Sequence, residues 1–525
     1  MKTPRFGLRD AVSPAKTQVQ LALAAAVGVG TGVGSGLFLR LVEAVQFWPA
    51  VGGRGKLFSL TLTWPLLLAI PALGGLLCGA VLQYLDPAVK GTGTPEILHA
   101  IRRKGGRIGG RYTAAKALAS LFTVCSGGAA GPEAPMVTVG AGLGSWAGRR
   151  LGVSAEDLHT LVAAGAAAGF AAVFNAPIAG VLFAVEVLLK EFTSSAFAIV
   201  MLATVSASVT TRLILGERVF VEVPSTYRFN SVRELGFYFA LAALAGLFAN
   251  LFVATSLWID KRFERGVASP MARAALGGLL LGALGLLLPQ ALGNGRLVIP
   301  DLIRAEAAAP WTWALLLALL FGKMVACPLT VGSGGSGGIF IPYLLMGASL
   351  GGLVGRGVNA LVPWAAPSGA YMLVGMGAVF AGVTFAPFTA VLLLFELTRD
   401  YNIILPLMFT AGIAVVVARA VDPLNLEAHK LLKKGVRMNE RPELRVLEKY
   451  HVRDVMNRGV PEEPEDGAGP RLPTVGPDEP LEHAIRRMQE FQTDRVLVVE
   501  PGASPRAVGV VTQGDVLGIY RRFFD

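Results

Sequence analysis

The chain has 525 residues, 53% of them hydrophobic and only 16% charged, with a mean hydropathy of +0.57. That balance excludes a soluble globule and reads as a polytopic membrane protein whose apolar segments belong to the bilayer. The formal charge of +11 would suit nucleic acid, but its Lys and Arg gather in short connecting segments and at the ends, so it reports membrane orientation and no nucleic-acid partner.

In chain order, a leader carrying Lys2, Arg5, Arg9 and Lys16 comes first. The first apolar run then continues into a full-length segment without a convincing cleavage site, which predicts a retained span, not a signal peptide. Segments such as Leu60–Leu85, Leu235–Ile259, Ala272–Leu292 and Leu407–Val421 are long or nearly long enough to cross about 30 Å of hydrocarbon, which takes roughly 20 helical residues. Several others are shorter and are interrupted by some of the 64 Gly and 31 Pro, the pattern of broken helices whose ends meet inside the protein. One break, Ser126-Gly-Gly-Ala-Ala-Gly-Pro-Glu-Ala-Pro135, holds Glu133. A carboxylate at membrane depth is costly and marks an ion or proton path, unless it sits in a surface loop or caps a helix. Cys78, Cys125 and Cys327 lie in apolar surroundings, which predicts inert buried thiols and no disulfide or metal site. Lys430, Lys433, Lys434 and Arg437 follow the last apolar segment; with the basic leader they predict two cytoplasmic termini and an even number of crossings. After about residue 425 the chain turns polar. Beyond the acidic loop Glu462–Gly469, the helical period from Leu481 and the strand-like runs Arg495–Val499 and Ala507–Thr512 predict a small α/β unit.

The chain also repeats itself. Phe170-Ala-Ala-Val-Phe-Asn-Ala-Pro177 matches Phe380-Ala-Gly-Val-Thr-Phe-Ala-Pro387, and nine residues past each proline stands a glutamate, Glu186 and Glu396. The glycine-rich run ending at Pro135 recurs as Gly332-Ser-Gly-Gly-Ser-Gly-Gly-Ile-Phe-Ile-Pro342, and Lys116 recurs as Lys323. A duplicated membrane domain with glycine-rich breaks at matching positions predicts a transporter or channel with its site where the two loops meet. Backbone N–H groups at helix starts there suit an anion, and no carboxylate cluster offers a hard-cation site.

These residues resemble the CLC family of chloride channels and chloride/proton antiporters over roughly residues 20–425. Gly91-Thr-Gly-Thr-Pro95, Gly131-Pro-Glu-Ala-Pro135, Gly338-Ile-Phe-Ile-Pro342 and Tyr401 in Asp400-Tyr-Asn-Ile-Ile-Leu-Pro406 are similar to the family's four motifs, in order. The resemblance implies an all-α polytopic membrane protein of two inverted structural repeats with broken helices, about 19–215 and 230–425. Flanking this 19–425 domain are a cytoplasmic segment at 1–18, a basic linker at 426–447 and a single CBS-like domain at 448–525, a small α/β cytoplasmic tail. It also implies membrane lipid as the surroundings and a homodimer with one pore per subunit; the prokaryotic length and the lack of an evident targeting peptide add the expectation of a bacterial inner membrane.

On the same resemblance, the hydroxyls of Thr92 and Tyr401 and the N–H groups of Ile339 and Phe340 hold chloride. Glu133 is gate and proton acceptor, within an outer loop that includes Gly131 and Ala134. Lys116 and Lys323 either lend the path a favourable field or are interfacial lysines. Three departures stand out: Pro132 replaces a basic residue and removes a donor, Ala134 replaces glycine, and Val187 replaces the second glutamate that relays protons in typical exchangers. Valine carries no proton, which favours a passive chloride channel, voltage-independent or pH-gated. The alternative is a chloride/proton antiporter with a non-standard inner proton pathway. Glu186 reads as a structural residue at a helix end. An enzyme is not expected, since no His or acid cluster lies among the apolar segments. Bound chloride is the only ligand expected of the membrane domain; in the tail, Thr512 and Asp515 match the nucleotide-contacting positions of paired CBS motifs and are candidate contacts for an adenine nucleotide.

Overall fold

The computed structural model describes residues 14–45, 64–190, 193–217, 232–305, 313–436, 450–458, 472–500 and 506–524. Most of the basic leader, Arg437 and the acidic loop Glu462–Gly469 lie outside the described residues. The chain divides into two compact units, Met1–Lys434 and Gly435–Asp525.

Among the described residues of the first unit, eight helices are followed by eight more in the same order. The first set is α1 (Pro14–Val45), α2 (Trp64–Tyr84), α3 (Thr94–Arg103), α4 (Gly110–Cys125), α5 (Glu133–Arg150), α6 (Ala155–Phe174), α7 (Pro177–Phe183) and α8 (Ser194–Leu215). The second is α9 (Leu235–Gly266), α10 (Pro270–Leu287), α11 (Val298–Ala305), α12 (Trp313–Val331), α13 (Phe340–Leu361), α14 (Ser368–Thr384), α15 (Pro387–Thr398) and α16 (Ile404–Val421). A one-turn 3-10 helix stands before α3 and before α11, at Pro87–Val89 and Pro289–Ala291. Among the described residues, nine helices are long and apolar enough to cross a membrane. The breaks have local causes. α6 and α14 each end on a left-handed residue, Asn175 and Phe385 (φ 53° and 59°), and two residues later Pro177 and Pro387 restart the chain as α7 and α15, the one helical position where proline costs nothing.

The packing of α2 on α10 shows that the repeats are inverted. A Cβ at Gly75 would run into Ala274 and one at Gly79 into Met271, while one at Gly278 would meet Pro71 and one at Gly282 would meet Leu67. As residue numbers rise on α2 they fall on α10, so equivalent helices of the two halves run antiparallel. Small residues allow this approach, the usual way membrane helices associate where lipid is as apolar as the side chains.

A short helix, α17 (Leu426–Lys433), is capped by Asn425, whose Oδ1 accepts from the Ala428 N–H at 2.9 Å. It buries Leu426, Ala428 and Leu431 and packs on α3 and α14. The expected boundary at 425 is thereby corrected: the start of the presumed basic linker belongs to the membrane unit, because its apolar face has a partner there.

The second unit is a three-stranded sheet, β1 (Thr474–Val475), β2 (Arg495–Glu500) and β3 (Arg506–Thr512), with β1–β2 parallel and β2–β3 antiparallel. Among the described residues, helices Leu481–Glu490 and Gln513–Phe524 pack on its strands. Its core includes Val452, Val475, Leu481, Met488, Val496 and Val511.

Because the α2–α10 contact has no room for a side chain, Gly278→Val is expected to lower the thermal midpoint of the detergent-purified protein, by an overpacking cost of about 1–3 kcal/mol. Gly236→Ala, where an added Cβ meets nothing within 4 Å, serves as the control; equal midpoints for both variants would contradict the close approach.

Candidate functional site

The two glycine-rich loops meet as the repeat predicts. Gly131 and Gly338 exchange both backbone hydrogen bonds, at 2.7 and 2.8 Å, and Gly91 joins them by donating to Gly335 O (2.9 Å) and accepting from Gly337 N (3.2 Å). The repeats hold each other's loops in place: Thr123 Oγ1 at the end of α4 accepts from Ser336 N (3.1 Å), and Thr330 Oγ1 at the end of α12 accepts from Ala129 N (3.0 Å). These are the same bond in the two halves, each residue displaced by 207 positions.

Glu133 is the first residue of α5 and is fully buried. Its Oε1 accepts from the N–H of Phe340, the first residue of α13, at 3.1 Å, and Oε2 has no hydrogen-bond partner among the described residues. Pro135 and Pro342 each stand third in their helices, where the N–H they lack would have no intrahelical partner. A Cβ at either Gly131 or Gly338 would collide with the Glu133 carboxyl, so glycine at both positions is what admits it. Ala134 is buried behind it, and Pro132 caps α5 without a side-chain bond. The Phe340 ring is enclosed by Phe170, Phe183 and Phe380 at centroid distances of 5.5–5.8 Å. The helix-start N–H of Phe340 thus meets a fully buried carboxyl, where electrostatic interactions are strong. Ile339, the N-cap of α13, is buried beside them.

Thr92, 4% exposed, is the donor expected from the first loop, and the structure gives its hydroxyl a partner that the sequence reading missed. Thr92 Oγ1 donates to the carboxylate of Glu427 on α17, at 3.0 Å to Oε1 and 3.2 Å to Oε2. The expected partner, Tyr401, is corrected here. It is 75% exposed, in a one-turn 3-10 helix (Tyr401–Ile403) capped by Asp400, because Asp400 starts a new helical segment at the surface before α16. Glu427 carries no motif of its own, and its only sequence signal is the helix cap Asn425 followed by the apolar period Leu426, Ala428, Leu431.

Cavities border these residues. One of about 40 Å³ is lined by Arg212, Arg296 and Ile341 among others. One of about 20 Å³ lies between Phe340, Tyr343, Val187, Phe183 and Glu427. The third, about 330 Å³, is lined by Thr92, Leu426 and Lys430, with Lys90, Lys433 and Lys434 in its wall. Lys90 pairs with Asp260 and Glu264, Lys433 with Glu264 (2.5 Å), and Lys434 with Glu96.

Lys116 and Lys323 are fully buried, which corrects the interfacial reading. Lys116 Nζ donates to Val89 O (2.8 Å) and Gly91 O (2.5 Å); Lys323 Nζ donates to Ala291 O (2.7 Å) and Gly293 O (2.6 Å). Each ties down the carbonyls between a 3-10 helix and the helix after it. Glu186 and Glu396 are end caps exchanged between the repeats. Glu186 accepts from the N–H groups of Phe388 and Thr389 (3.2 and 2.8 Å), and Glu396 from those of Ile178 and Ala179 (3.0 and 2.7 Å). In the tail, Thr512 and Asp515 engage each other: Asp515 Oδ2 accepts from Thr512 N and Oγ1 at 2.9 and 2.7 Å. Cys78, Cys125 and Cys327 are buried and free.

The profile of the voltage gated chloride channel family matches residues 74–419, and that of the CBS domain matches 452–522. A ClcB-like chloride channel protein of Ralstonia nicotianae is 35% identical over 75% of this chain and 92% of its own length. An H(+)/Cl(-) exchange transporter ClcA of Vibrio parahaemolyticus is 31% identical over 74% and 85%. The crystal structure of a slow cyanobacterial Cl-/H+ antiporter superposes with a TM-score of 0.71 at 24% identity, covering 80% of this chain and 99% of that one.

Removing a buried ammonium strands the carbonyls it serves, at about 1–3 kcal/mol for each group left unsatisfied. Lys116→Met and Lys323→Met are both expected to lower the thermal midpoint. Loss of anion flux in Lys116→Met with an unchanged midpoint would instead place Lys116 on the path itself.

Proposed function

The chain belongs to the voltage gated chloride channel family, and on that premise we propose that it carries chloride across a membrane through the contact between its two repeats, with Glu133 as the gate. The observation that carries this reading is the bond from Phe340 N–H to Glu133 Oε1. A helix-start donor in an apolar enclosure already holds an anionic group belonging to the protein, so a chloride ion replaces that carboxylate when it withdraws. Ile339 N–H and the Thr92 hydroxyl are the further donors. Neutral donors of this kind bind an anion without trapping it, as conduction requires. In the large cavity Lys90, Lys433 and Lys434 are paired with acids, and Lys430 adds a further positive charge that favours an anion there.

Passive permeation is the leading mechanism. Val187 faces the small cavity beside Phe340, and its side chain cannot relay a proton. Chloride/proton exchange is the second reading, supported by the exchange transporters among the relatives. A homodimer with one path per subunit and an adenine nucleotide at the CBS unit extend the proposal.

Two measurements in proteoliposomes test it. Glu133→Gln keeps the shape but removes the charge that competes for Phe340 N–H, and the loss of a charge-assisted hydrogen bond of about 1.5–3 kcal/mol is expected to raise chloride flux at neutral pH about tenfold or more and to remove the part of acid activation that passes through Glu133. A variant with the flux and pH profile of the wild type would refute the gate. With the wild-type chain, a chloride gradient is expected to drive no uphill proton movement, and observing such movement would replace the channel by the exchanger.

A further inference from the structure

We propose that Glu427 is a second carboxylate gate in series with Glu133, closing the path on the Thr92 side by occupying the hydroxyl that an anion would use. The inference rests on the chloride reading above and adds to it a residue that lies outside both repeats. Three observations carry it. The Thr92 hydroxyl, buried to 4% exposure, is donated to the Glu427 carboxylate at 3.0 and 3.2 Å. That carboxylate lines the small cavity that Phe340 and Val187 also line. Leu426, its neighbour on α17, lines both this cavity and the 330 Å³ one, so Glu427 stands at the junction of the two. The arrangement parallels Glu133: each presumed anion donor, Phe340 N–H and Thr92 Oγ1, holds a carboxylate of the protein itself.

The charges facing Glu427 define what it does on release. Lys430, one turn further along α17, faces it from the large cavity; Lys116 on α4, Glu96 on α3 and Tyr343 on α13 face it from the elements packed around it. Lys116 is already engaged with Val89 and Gly91 carbonyls. Protonation, with the proton taken from solvent on that side, removes the negative charge beside Thr92 and frees its hydroxyl for an incoming anion. Chloride at Thr92 and ionised Glu427 at Thr92 exclude each other.

The test is chloride efflux from proteoliposomes as pH is lowered, measured in the Glu133→Gln background, where the first carboxylate no longer titrates. Residual acid activation is expected there. It should disappear in Glu133→Gln/Glu427→Gln, whose flux at neutral pH should rise about tenfold over Glu133→Gln alone, the equivalent of ~1.4 kcal/mol. Glu427→Asp, which keeps a carboxylate, should retain acid activation. Flux in Glu133→Gln that is already independent of pH overturns the proposal without need of any variant at 427, and so does a double variant that keeps the acid activation of Glu133→Gln. Absence of chloride flux from wild type and Glu133→Gln alike overturns the transport reading itself.

Discussion

A single hydrogen bond, from the Phe340 amide to Glu133 Oε1 at 3.1 Å, joins the starts of two helices that the inversion of the repeats brings nose to nose. Glu133 and Phe340 are separated by 207 residues, the spacing that relates Lys116 to Lys323 and Thr123 to Thr330, so the bond connects equivalent positions of the two halves. Each helix start offers unpaired N–H groups and the positive end of its dipole, and two such ends in an apolar enclosure would be left unsatisfied without a negative group between them. In one half the position supplies that group; in the other it supplies the donor and an aromatic wall. The glycines at 131 and 338 are a consequence, because any side chain there would occupy the space of the carboxyl.

The remaining braces keep this junction from relaxing. Thr123 and Thr330 each hold an amide of the opposite loop, Lys116 and Lys323 each gather the carbonyls that lead into α3 and α11, and Glu186 and Glu396 each cap a helix of the other repeat. Every one of these bonds occurs twice, which is what duplication and inversion of one ancestral pattern produce. They use buried polar and charged groups, costly singly but satisfied here, so the backbone donors at the junction are fixed before an ion arrives. Preorganised donors are worth more to a desolvated anion than donors that must first turn towards it. Two departures break the symmetry: Glu133 against Phe340, and Thr92 against Asn294, whose side chain accepts from the Arg296 amide instead.

Much of this was legible because it is periodic. The repeat, the two glycine-rich loops and the cost of Glu133 all follow from residue types at fixed spacings, and so does the capping role of Glu186. What could not be read depends on which distant segment folds back. Tyr401 occupies a promising sequence context, Asp400-Tyr-Asn, yet Asp400 uses that context to cap a surface turn. Glu427 is 335 residues from its partner Thr92, among Lys430, Lys433 and Lys434, and in one dimension it looks like part of a solvated basic linker. Its burial becomes visible only when Leu426 and Leu431 find α3 and α14. The lysines at 116 and 323 posed the same difficulty: a lysine in an apolar segment reads as interfacial until the carbonyls that surround it are known.

The position of Glu427 also bears on how Val187 should be weighed. Valine at 187 removes a proton-carrying group from one wall of the cavity beside Phe340, but Glu427 places a carboxylate on another wall of the same cavity. What separates passive permeation from exchange is therefore not whether an acid exists on the Thr92 side but whether its proton is delivered onward. A carboxylate that equilibrates with solvent through the 330 Å³ cavity gates anions without moving protons across, since its proton returns the way it came. Coupling would require transfer onward past the rings of Phe183, Phe340 and Phe380, which offer neither donor nor acceptor, by way of Tyr343, whose hydroxyl lies in the field of both carboxylates. Passive permeation therefore requires that Tyr343 keep its proton while the two carboxylates titrate separately, and exchange requires that it hand that proton on.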